Sequence, residues 1–133
     1  MSTQDSHANE AHQAGALVAF DLSELQALYS PADLRTLLTV ALDEFDCQHL
    51  LFAAAFEQTQ WQRAAEALHR LAGTVAFFVN DGGALEPLCQ LERVLRRGDA
   101  VQASRAVGQA REALAVFRAA FTEQLVNLVR DAR

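Results

Sequence analysis

The stripe formed by Ala64, Ala67, Leu68, Leu71, Val75 and Phe78 constrains this chain more than any other feature of its sequence. Its spacing, i, i+3, i+4, i+7, i+11, i+14, is that of one face of an α-helix. A longer stripe of the same kind, Ala103, Val107, Ala110, Leu114, Phe117, Phe121, Leu125 and Leu128, runs through the C-terminal part. Leu34, Leu37, Leu38, Ala41, Phe45, Phe52 and Ala55 form another. No segment alternates apolar and polar residues with period two, so no sheet is expected. Helices with one apolar face must bury it against one another. The patterns predict an all-α protein, an antiparallel four-helix bundle with a short extra N-terminal helix as a lid.

Capping residues divide the chain. Asp21 followed by Glu24 reads as a capping box for a short helix from Leu22 to about Tyr29. Ser30 as cap and Pro31 in the first helical position start a long helix that runs to about Phe56. Thr59, with Gln62 three residues on, reads as the cap of a helix reaching about Val79. Asn80-Asp81-Gly82-Gly83 is a turn. The next helix is expected over Ala84 to Arg96, with Leu85, Leu88, Leu91 and Leu95 inward and Pro87 tolerated in its first turn. Asp99 caps the last one, from about Ala100 to Val129, with Gln102 at the third position. Residues 1–16 are small and polar and read as a flexible tail or linker, leaving 17–133 as the bundle.

Composition narrows the function. The 133 residues make one domain with room for a core, and the formal net charge of −6 argues against a nucleic-acid partner, which needs a basic face. No stretch is long and apolar enough to span a bilayer, and the first residues lack the pattern of a secretory signal. Cys47 and Cys89 lie in apolar helical surroundings and read as two buried, reduced thiols of a cytoplasmic protein, although a disulfide between them stays open.

Chemistry concentrates on Ala67-Leu68-His69-Arg70-Leu71-Ala72-Gly73-Thr74. His69 is one step off the apolar stripe and should face water. Gly73, four residues on, stacks one turn above it on the same face. A glycine inside a helix costs about 1 kcal/mol relative to alanine. Its benefit here would be to clear the approach of another protein to one ring nitrogen. A neutral imidazole is nucleophilic, and His is the side chain whose ordinary titration falls near neutrality.

The run His69-Arg70-Leu71-Ala72-Gly73-Thr74 resembles the phosphoacceptor motif of histidine-containing phosphotransfer domains: His, any residue, Leu, often Lys, Gly, then a small residue. The resemblance covers roughly residues 32 to 128, through Leu85, Leu88-Cys89, Leu91-Glu92 and Arg97-Gly98-Asp99. It implies that His69 accepts a phosphoryl group from a receiver-domain aspartate of a hybrid sensor kinase and passes it to a response regulator. It implies no kinase activity and no cofactor of the chain's own, because the receiver brings Mg²⁺. A monomer is expected, cytoplasmic or tethered to the membrane as part of a larger sensor kinase. The chain departs from the motif at Ala72, where lysine is frequent, and in carrying Phe78-Val79-Asn80 before its displaced Gly82-Gly83. It contains no lysine, so Arg70 is the cation nearest in sequence to steady a phosphoryl group.

Thr74 can bond a phosphate or, as mid-helix threonines commonly do, the carbonyl four residues back. Ala76 and Phe77 complete the expected docking face. Phe77 reads either as core against the first helix or as an apolar docking patch. Exposed helical histidines are often plain surface residues, and Gly73 could serve close helix packing instead. His49 reads as a core-edge residue, and His7 and His12 as tail residues without a role. Two other functions compete. Ala72 is compatible with a silent adaptor that binds a receiver or kinase without accepting phosphate. Glu66-x-x-His69 and Asp46-x-x-His49 have the carboxylate–histidine spacing of a dimetal bundle. Against that reading, His69 faces outward, and Glu92, Glu112 and Glu123 miss the apolar stripes.

Overall fold

The structure is a computed structural model, and it describes residues 20–131. The expected tail over 1–16, with His7 and His12, lies outside them. The described residues form a helical bundle without a strand: α1 (Ser23–Leu28), α2 (Pro31–Glu57), α3 (Trp61–Ala76), a 3₁₀ turn (Gly82–Leu85), α4 (Glu86–Arg96) and α5 (Ala100–Asp131). Neighbours in sequence touch in space. The helix α2 packs on α3, α3 on α4, α4 on α5 and α5 back on α2, while α1 rests on α2. Among the described residues, no helix is long and apolar enough to cross a membrane.

Local chemistry sets the helix boundaries. Ser30 Oγ accepts a hydrogen bond from Asp33 N at 3.1 Å and Asp99 Oδ1 one from Gln102 N at 3.1 Å, which satisfies orphan donors at the starts of α2 and α5. The ends of α2 and α4 share one hydrogen-bond pattern. Gln60 N donates to Ala55 O (2.8 Å) and Thr59 N to Phe56 O (3.1 Å); Asp99 N donates to Val94 O (3.4 Å) and Gly98 N to Leu95 O (2.9 Å). Both are Schellman closures, which require a left-handed residue just past the helix.

At α4 that residue is Gly98, with φ +70°; at α2 it is Thr59, with φ +55°. Thr59 therefore ends α2 rather than capping α3, whose N-cap is Gln60 without a side-chain bond. A β-branched residue is strained in this region. Thr59→Gly is expected to stabilise the fold by about 1 kcal/mol, read as a rise in the denaturant midpoint.

Three further boundaries differ from the sequence reading. Helix α3 stops at Ala76, not Val79, because the chain before α1 captures its end: Asp21 N donates to Phe78 O (3.0 Å), and Asn80 Nδ2 donates to Asp21 Oδ2 (2.7 Å). Asp21 does not cap α1 in the expected way. Leu22 is the N-cap, and Asp21 Oδ1 accepts from Ser23 Oγ (2.6 Å) and Ser23 N (3.0 Å). Those bonds hold the Asp21 carboxyl below the usual carboxylate range. Ala84 and Leu85 belong to the 3₁₀ turn, closed by Ala84 N to Asp81 O at 3.1 Å, and α4 opens around Pro87.

The core follows the stripes. Leu34, Leu38, Phe45, Leu68, Leu71, Val75, Leu88, Leu91, Leu95, Ala110, Leu114 and Phe121 are all at most 1% exposed. At its centre, Phe121 of α5 meets three other rings: Phe20 at 4.7 Å, Phe78 at 5.3 Å and Phe45 of α2 at 5.6 Å between centroids. The cysteines depart from expectation. Both are free, Cys47 is exposed and Cys89 is half-buried, since Cys47 lies on the outer side of α2, away from Phe45 and Phe52.

Candidate functional site

The outer face of α3 holds His69, Gly73 and Ala76, all exposed. His69 lies near the middle of the helix with its side chain 72% exposed. Its neighbours Leu68 and Leu71 are fully buried, so the helix beneath the ring is anchored in the core. The Nδ1 atom comes to 3.3 Å of Glu92 Oε2 on α4. The same oxygen accepts a hydrogen bond from Arg96 Nε at 3.0 Å. On the other side of the ring, Nε2 has no hydrogen-bond partner among the described residues. A carboxylate beside Nδ1 favours the tautomer with its proton there, which leaves the lone pair on Nε2.

Glu92 escaped the sequence reading, which noted only that it misses the apolar stripe of its helix. Its signal was present. It sits one step from Leu91 and four residues before Arg96, at the edge of the face that α4 turns to its neighbours. Packing α4 against α3 turns that edge position toward His69.

Gly73 is exposed, and a Cβ built on it would meet nothing within 4 Å. Internal packing therefore does not require glycine there. Gly73→Ala is expected to stabilise the fold by up to about 1 kcal/mol, seen as a thermal midpoint a few degrees higher. Ala76 is exposed and Ala72 is half-buried against the core. Phe77, the C-cap of α3, is 55% exposed with its ring edge-on to Phe78 at 5.3 Å, so it is not core against α1. Thr74 is half-buried and makes no side-chain hydrogen bond among the described residues, whereas Thr36, Thr39 and Thr122 each donate to the carbonyl four residues back. Arg70 lines a groove between α2 and α3 with Leu51, Ala54, Arg63 and Glu66. The consecutive residues His69 and Arg70 thus face different neighbours, and the cation tied to the imidazole's surroundings is Arg96.

The second carboxylate–histidine pair lies elsewhere. Asp46 is engaged by Arg118 of α5, whose Nε and Nη2 donate to it at 3.0 and 3.3 Å. His49 lies half-buried with its ring edge-on to Phe45 at 5.9 Å. Burial lowers its pKa, against the pull of Asp46, and Arg118 and Arg111 lower it further. Among the described residues, no three His, Cys, Asp or Glu side chains come together as a metal site.

No family model matches this sequence, and neither a curated protein nor a solved structure matches it significantly.

Proposed function

We propose that this chain is a phosphorelay intermediate whose His69 accepts a phosphoryl group from the phosphoaspartate of a receiver domain and passes it to a response regulator. The observation that carries the reading is the asymmetry of the imidazole. It is exposed on an anchored helix, one nitrogen faces a carboxylate and the other has no partner among the described residues. The Nε2 lone pair attacks phosphorus, the P–O bond of the acyl phosphate breaks, and the partner's carboxylate leaves with the electron pair. Glu92 faces the positive charge that develops on the ring. Transfer onward is the same exchange run toward a second aspartate. The receiver supplies Mg²⁺ and the remaining charge stabilisation, so the chain needs a placed nucleophile and a matching surface.

In this reading the helices form an antiparallel four-helix bundle of the histidine phosphotransfer kind, with α1 as a lid, working as a cytoplasmic monomer. Gly73, Ala76 and Phe77 form the docking face around His69. Ala72, packed against the core where a lysine is frequent in such domains, favours a second reading: a silent adaptor that docks a receiver without chemistry.

The test is to mix the protein with a phosphorylated receiver and Mg²⁺ and follow the label. Label on the protein, lost in acid and kept in base as for a phosphoramidate, is the expected outcome. No label from a receiver proven competent leaves the silent adaptor. Gly73→Phe should fold normally, because its side chain stands in open space. It should slow transfer by more than about tenfold, the loss that accompanies about 1.4 kcal/mol of docking energy. Equal loss of stability would instead assign Gly73 to the fold.

A further inference from the structure

Arg96 is the last residue of α4, and both its backbone and its side chain are held. The Schellman closure at Gly98 fixes the chain just beyond it, and Gln62 Nε2 of α3 donates to its carbonyl at 3.2 Å. From that point the side chain reaches back one turn, and its Nε donates to Glu92 Oε2 at 3.0 Å. That oxygen is the one 3.3 Å from His69 Nδ1. The Glu92 side chain is 17% exposed, while those of Arg96 and His69 stand at 44% and 72%. One partly buried oxygen is thus shared between a fixed cation and the ring.

We propose that Arg96 is a positioning residue for His69, acting through Glu92. A glutamate side chain has three rotatable bonds, and without a partner it samples solvent. The charge-assisted bond from Arg96 selects the rotamer that faces α3. The anion stands 3.3 Å from Nδ1, which favours the neutral ring with its proton on Nδ1 and its lone pair on exposed Nε2. Arg93 provides a built-in contrast. It lies on the same helix and pairs with Glu86 Oε1 at 2.8 Å, and among the described residues it makes no ion pair with Glu92 or His69. The consequence for phosphoryl transfer rests on the function proposed above, but the effect on the tautomer does not.

Long-range ¹H–¹⁵N NMR of the full chain, at alkaline pH where imidazole is neutral, reads which nitrogen of His69 carries the proton. The wild type is expected to show the proton on Nδ1. Arg96→Gln should move the population toward Nε2–H and slow phosphoryl transfer roughly tenfold, the scale seen when an outer partner of a working histidine is removed. Arg96→Lys should restore much of both, and Arg93→Gln, with the same change of charge, should change neither. Ring nitrogens unaltered in Arg96→Gln, or altered as much in Arg93→Gln, would overturn the assignment. Glu92→Ala covers the case in which burial alone orients the carboxylate: a tautomer that moves in Glu92→Ala but not in Arg96→Gln removes Arg96 from the role. Failure of the wild type to take label from a competent receiver sinks the phosphoacceptor reading and leaves the tautomer result standing by itself.

Discussion

His69→Gln is expected to leave the bundle folded and to abolish phosphoryl acceptance. The substitution keeps a polar side chain of similar reach but removes the ring nitrogen with its nucleophilic lone pair. The side chain is 72% exposed, and among the described residues its polar partner is Glu92. Exposed pairs of this kind contribute about 0–1 kcal/mol, and solvent-facing substitutions rarely move stability beyond about 0.5 kcal/mol. The denaturant midpoint should therefore stay close to wild type while label from a phosphorylated receiver disappears. Equal labelling of the two proteins would place the acceptor elsewhere.

The largest effect on stability is expected at Phe121. Its ring is fully buried and touches the rings of Phe20, Phe45 and Phe78. These three come from the segment before α1, from α2 and from the turn after α3, so one side chain of α5 joins four parts of the chain. Phe121→Ala removes the dispersion contacts of all three pairs and opens a cavity that rigid helices cannot collapse. The cost should be about 3–5 kcal/mol. That is a large fraction of the about 5–15 kcal/mol that stabilises an ordinary domain. Urea unfolding measures it, and a loss below about 1 kcal/mol would mean that the four rings are not the centre of the core. Phe121→Leu, which keeps more volume, should cost less.

Most of the helical plan was legible because it depends on period alone. The stripe from Ala64 to Phe78 and the one from Ala103 to Leu128 turn their apolar residues inward, and Ser30 and Asp99 cap as their side-chain chemistry dictates. Interactions distant in sequence were illegible. Helix α3 stops at Ala76 because Asp21 and Asn80 clamp its end, and those residues are 59 positions apart. Thr59 has the chemistry of an N-cap, but the Schellman closure of the preceding helix claims it first and holds it left-handed. Cys47 looked buried by its neighbours' hydropathy, yet it falls on the outer side of α2.

The candidate site divides in the same way. The exposure of His69 and the openness around Gly73 follow from position along one helix. The partner of the imidazole does not, because Glu92 reaches it only once α4 packs on α3. Arg70 is next to His69 in the chain but turns into the groove with α2, about a quarter-turn away on a helix of 3.6 residues per turn. Adjacency in sequence favoured Arg70, and adjacency in space favours Arg96.

The measurement that tests the phosphoacceptor claim most directly is the location of the transferred group. Cleavage after Arg63 and Arg70 releases residues 64–70, a fragment that contains His69 and no serine, threonine or tyrosine. After brief incubation with a phosphorylated receiver and digestion at alkaline pH, mass spectrometry should find one phosphoryl group on this fragment. It should fragment to a phosphohistidine and disappear on acid treatment. A phosphoryl group found instead on another histidine or on a hydroxyl side chain, or an unmodified 64–70 fragment when the receiver is proven competent, would contradict the account.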